Sequence, residues 1–162
     1  MSEKELFLQL WEREAPTTRR VIAAFPPDKG DFKPHDRSNS AKTLAWLMIS
    51  EERAFVQGAL RGKIDFSDVG QPPETWEEML AAGDKIHAEM VAKLKGASDA
   101  DLEGTVPFMV GPKQPGDLPK MQILWLMLHD QIHHRGQFSV YIRLAGGKVP
   151  SIYGPSADEP WQ

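Results

Sequence analysis

The residues with the most chemistry per position lie near the C-terminal end, in Leu128-His129-Asp130-Gln131-Ile132-His133-His134-Arg135-Gly136-Gln137. On a helix, His129 and His133 are four residues apart and project from one face about one turn from each other, a spacing that lets two imidazoles share one metal ion. Gln122, Leu126, Gly136 and Val140 continue roughly the same face, which predicts that the pair points into the interior. His134 lies about 100° away round the helix and is not expected to join them. The spacing alone also describes a solvated or hydrogen-bonded pair, which is the commoner case. No Glu stands between the two histidines as in an HExxH zinc protease, so that reading fails.

Holding such a pair requires a scaffold, and the apolar periodicity supplies four helical segments separated by Pro/Gly clusters. The first runs from about Glu3 to Phe25, with Pro16 inside it, which predicts a kink or break near Glu14 and Ala15. The second starts at Ser38 to Ser40, whose hydroxyls can cap it, and carries Leu44, Leu47, Met48, Phe55 and Ala59. The third opens on the capping box Thr75-Trp76-Glu77-Glu78 and closes at Gly96. The fourth spans Leu118 to about Ala145, with Pro119 in its first turn and Gly146-Gly147 as a left-handed stop. The loop between Ala97 and Pro115 has room for a short extended pair around Thr105–Val110, and the tail after Gly147 reads as irregular. Trp11, Trp46, Trp76 and Trp125 are core or interface anchors, and Arg135 is expected to bridge helices. The expected fold class is all-α, a single four-helix bundle spanning residues 1–162.

Composition narrows the function. With 162 residues, the chain can bury a core without staples. No cysteine is present, which rules out disulfides, thiolate nucleophiles and zinc-thiolate sites. A formal net charge of -4 and no Lys/Arg run argue against a phosphate-backbone partner. The charged, acidic start Met1-Ser2-Glu3-Lys4-Glu5 does not resemble a signal peptide, and the longest apolar run on the fourth helix is too short for a bilayer, so the expected location is the cytoplasm.

The pattern His129-x-x-x-His133-His134-Arg135-Gly136-Gln137, then Tyr141-x-Arg143-Leu144-x-Gly146 and Val149-Pro150, resembles the last helix of the DinB/YfiT-like superfamily. The tail Tyr153-Gly154-Pro155-Ser156 and the stretch Lys33-Pro34-His35-x-x-Ser38 resemble it too. The resemblance implies a four-helix bundle, usually dimeric, holding a divalent ion such as zinc or nickel with three histidines, one from the second helix and two from the fourth. The latter map onto His129 and His133. The second-helix position holds Leu47, which cannot coordinate, and Glu51, one turn on, is the candidate substitute; His35 and His87 are further alternatives. The activity implied is that of metal-dependent transferases acting through a small thiol. The competing reading is a non-catalytic bundle that binds a small ligand, or a stress-related dimer without metal.

Overall fold

The structure is a computed structural model describing all 162 residues. Its main elements are α1 (Glu3–Ala23), α2 (Ala41–Arg61), α3 (Trp76–Gly96), a hairpin of β1 (Thr105–Gly111) and β2 (Gln114–Pro119), and α4 (Lys120–Leu144). Each of α1 and α2 packs against both α3 and α4. The bundle therefore runs α1, α3, α2, α4 around its axis. The all-α expectation needs one correction, the two-stranded antiparallel sheet. Thr105 pairs with Pro119 and Val106 with Leu118, so Leu118 and Pro119 end a strand, and α4 begins at Lys120. The hairpin is held by burial of Val106 and by Phe108, whose ring meets Phe55 of α2 at 5.8 Å.

Local chemistry explains the helix ends. Ser2 and Glu5 form a capping box on α1, Ser40 accepts the Thr43 amide at the start of α2, and Thr75 with Glu78 boxes α3. Gly62 (φ 76°) and Gly146 (φ 83°) take the left-handed conformation after α2 and α4. No side chain caps α4; the Lys120 amide donates to the Gly104 carbonyl instead. Pro16 does not break α1, which runs unbroken through it. The proline costs the helix the bond that the Glu12 carbonyl would have accepted, and packing on both sides carries the segment across.

Thirty-two buried apolar residues form one core. The indole N–H of each core tryptophan finds an acceptor: Trp11 on Glu52, Trp46 on the Gly70 carbonyl, Trp76 on the Ile22 carbonyl. Arg135, 1% exposed, bridges helices as expected. It donates to Glu14 Oε2 at 2.7 Å, to Thr18 Oγ1 at 3.2 Å and to the Tyr153 hydroxyl at 2.6 Å. The tail after α4 is irregular but docked, with Arg143 on Asp158 at 2.6 Å and Arg20 on Glu159.

Removing one member of a buried ion pair strands the other. Arg135→Ala should lose about 3–5 kcal/mol in urea unfolding, and Tyr153→Phe, which removes one hydroxyl, only about 1 kcal/mol. Equal losses would mean that the tail contact, not the Arg135–Glu14 pair, holds this end together.

Candidate functional site

The buried side of α4 includes Leu124, Met127, Gln131, Arg135, Phe138 and Ile142, and is centred on Gln131. Residues two before and two after Gln131 lie about 160–200° round a helix from it. Those residues are His129 and His133, and both are exposed, as are Gln122, Leu126, Gly136 and Val140. The expected face is real but points outward. His129 stacks on Trp125 at 6.3 Å, and His133 meets His134 edge-on at 5.1 Å. Glu51 is on the opposite side of the boundary, 2% exposed within the bundle. The expected set of His129, His133 and Glu51 is therefore not brought together. Leu47 is half-buried against the core, one turn before Glu51. His35 is exposed in its loop, where Nδ1 accepts the Arg37 amide.

Glu51 instead meets the next residue along α4. The Asp130 carboxyl is within hydrogen-bond reach of the Glu51 carboxyl. Burial, then the charge and contact of Asp130, then the charge of Glu52 push Glu51 well above the usual carboxylate range. Two carboxyls bond only if one carries a proton, and burial favours the neutral form at Glu51. Even so, Glu51 Oε1 is left with no donor. Asp130 Oδ2 lies 3.3 Å from His134 Nε2, and His134 Nδ1 lies 3.0 Å from Gln137 Oε1. Asp130 and His134 share the i, i+4 spacing of the expected pair, displaced by one residue, and that displacement turns them towards α2. No three His, Asp or Glu side chains are gathered closely enough to hold an ion as they stand. The fit to a divalent metal rests on donor chemistry: an orphaned buried carboxyl oxygen, a second carboxyl against it and an imidazole on the second.

Glu52, next to Glu51 on α2, faces another way. Its Oε1 accepts from Trp11 Nε1 at 3.1 Å and from Gln131 Nε2 at 2.9 Å, and its Oε2 lies 3.0 Å from His87 Nδ1. Burial pushes the His87 imidazole down; the hydrogen bond and charge of Glu52, with Glu12 and Asp84, outweigh it, and the ring ends above its ordinary value. Asp130, His134, Glu52 and the pairing of His87 were missed in the sequence. The available signals were the second i, i+4 pair and two adjacent carboxyls inside a helix otherwise apolar on its packed side.

The DinB family model matches residues 1–162. The chain belongs to the DinB family. Among relatives, it is 25% identical over 160 residues to the uncharacterized protein YrdA of Bacillus subtilis, covering 94% of this chain and 89% of that one. Its fold is similar to the crystal structure of a DinB-like protein from Bacillus cereus, with TM-score 0.74 and 23% identity over 92% of this chain and 97% of that one. It is likewise similar to the DinB-like protein YjoA of Bacillus subtilis, with TM-score 0.71 and 19% identity over 91% and 97%. At these identities the two structures establish the shared fold of this DinB chain. No helix in it is long and apolar enough to cross a membrane.

The protonated state of Glu51 carries a stability signature. Its folded pKa is raised above the ordinary 4.5, so the folded chain keeps a proton that the unfolded chain releases. The contribution is present below that value and is lost as pH rises towards the folded pKa, at about 1.4 kcal/mol per pH unit. Glu51→Gln mimics the protonated form and removes this loss. Its stability relative to wild type should rise as pH increases above about 4.5 in urea unfolding; a difference independent of pH would mean that Glu51 is ionised in the fold.

Proposed function

We propose that this DinB chain binds a divalent metal ion between α2 and α4 through Glu51, Asp130 and His134. The observation that carries this reading is the orphaned Glu51 Oε1 beside a second carboxyl, in an interior whose other buried side-chain polar atoms are partnered. One imidazole and two carboxylates amount to the three protein ligands of a catalytic site with an open position, and suit zinc, nickel or manganese. A bound ion would supply Lewis-acid activation of a small thiol, the transferase chemistry that the family resemblance implies. Binding would displace the proton on Glu51, so affinity should strengthen as pH rises.

Calorimetric titration of tag-free, chelator-treated protein with zinc and nickel tests the donor set. One ion per chain is expected, with at least about tenfold weaker binding in Glu51→Gln or Asp130→Asn. The double variant His129→Ala/His133→Ala should bind as wild type does. Loss of binding only in the double variant would move the site to the exposed pair. No binding by wild type would favour the metal-free, ligand-binding reading.

We also propose a homodimer through the outer face of α4, where Leu126, Val140 and Leu144 are exposed beside His129 and His133. Burying that face against a second copy would give an interface above about 1,000 Å². Sedimentation at tens of micromolar should show a dimer that Val140→Glu disrupts; a wild-type monomer would refute it.

A further inference from the structure

A groove of about 320 Å³ opens between α1 and α3, with α2 as its floor. It is separate from the Glu51–Asp130–His134 cluster, and none of those three residues lines it. Its volume equals roughly ten water molecules at about 30 Å³ each, room for a compact molecule of about that many non-hydrogen atoms. Ile22, Met48, Ile49 and Leu80 make much of the wall. Gly83 contributes to the space: a Cβ there would approach Ile49 to 3.3 Å.

The charged residues on the wall are engaged in pairs. Arg19 grips Asp84 with two hydrogen bonds of 2.5 and 2.9 Å, Lys95 neutralises Glu12 at 2.8 Å, and His87 faces Glu52. The Arg19, Asp84 and Glu12 charges are thus paired, and the oxygens of the buried Glu52 are taken up by Trp11, Gln131 and His87. One side-chain polar group is still available. His87 Nδ1 is committed to Glu52, whose other oxygen is fixed by Trp11 and Gln131, and the His87 ring sits edge-on to Trp11 at 4.8 Å. Its Nε2 has no protein hydrogen-bond partner and is not sealed in the interior. Glu52 is 6% exposed, so the imidazole is anchored from beneath by a buried carboxylate. Beside it, Pro16 leaves the carbonyl of Glu12 without its helical donor, and both residues line the groove.

We infer that this groove binds an uncharged, mainly apolar small molecule bearing a hydroxyl, such as a phenol or a short alcohol, with the hydroxyl on His87 Nε2. A hydroxyl is the neutral group that suits either form of the ring, donating to a bare nitrogen and accepting from a protonated one. Glu52 is a positioning residue: by engaging Nδ1 it leaves Nε2 as the free nitrogen of the ring.

The test uses the full chain with a chelator present, so that it is independent of metal binding. The probe is para-cresol, compared with toluene, para-toluate and para-methylbenzylammonium, followed by calorimetry and by NMR of amide and indole N–H resonances. Saturable para-cresol binding is expected, shifting the Trp11 indole and α1 and α3 amides. His87→Phe should weaken it roughly tenfold, the worth of one hydrogen bond, and leave toluene unchanged. Circular dichroism establishes that the variant folds. The inference is overturned by equal para-cresol affinity in wild type and His87→Phe, by tighter binding of either charged analogue, by shifts confined to other elements, or by no saturable binding up to the solubility limit.

Discussion

The Glu52 carboxylate is where the bundle is tied together. Side chains from each of the other three helices reach it: Trp11 from α1, His87 from α3 and Gln131 from α4. A carboxylate at this depth is tolerable only when its lone pairs are met by donors. Each donor must then come from a fixed height on its own helix, so the polar cluster sets the register of all four against one another. Apolar packing alone, which tolerates sliding by exchange of similar side chains, specifies register less sharply. Gln131 strengthens the constraint by donating also to the Met48 carbonyl of α2 at 2.8 Å.

A second cluster, buried at Arg135 and Glu14, locks the chain end onto this frame. Arg135 sits one turn after Gln131 on α4 and reaches Glu14 on α1, while Tyr153 from the tail bonds both partners, at 2.6 Å to Arg135 and 2.8 Å to Glu14. The guanidinium also lies 5.0 Å from the Tyr153 ring centroid. A planar group with several fixed donors serves here where a lysine would make one contact. The tail closes the bundle end that the hairpin leaves open, since the hairpin covers α2 through Phe55 and Phe108.

What could be read from the sequence depended on whether the signal was local. The Thr75–Glu78 box, the Ser40 cap and the Gly146 stop each depend on a few adjacent residues, and they stand where expected. The structural role of Arg135 also held. The orientation of α4 was not legible in the same way, because apolar residues lie nearly all round it. Leu126, Val140 and Leu144 on its outer face weigh as much in a periodicity argument as Met127 and Ile142 on its inner one. Only the partners decide, and they are distant: Gln131 is drawn inward by Glu52, and that turns His129 and His133 outward. Pro16 misled for a related reason, since local propensity predicts a break and tertiary packing on both sides overrides it. The hairpin was legible only as an extended stretch, because its strands are short and their pairing partner is the segment that also opens α4.

Adjacent residues on α2 point about 100° apart, and Glu51 and Glu52 turn that angle into two separate polar environments. Glu52 is surrounded by donors, so its charge is solvated by the protein itself. Glu51 meets a second carboxyl and no donor for Oε1, so charge there is penalised and the protonated form is favoured. The difference is set by α4, which presents Gln131 to one glutamate and Asp130 to the other. An amide supplies a donor; a carboxylate supplies only lone pairs. One helix turn thereby makes a structural anchor on one side of α2 and a carboxyl pair short of donors on the other. Rotating α4 to bring His129 and His133 inward would take Arg135 from the buried Glu14, at a cost of several kcal/mol, and would leave Glu52 one donor short. The outward position of the histidine pair is thus a consequence of the same contacts that hold the fold.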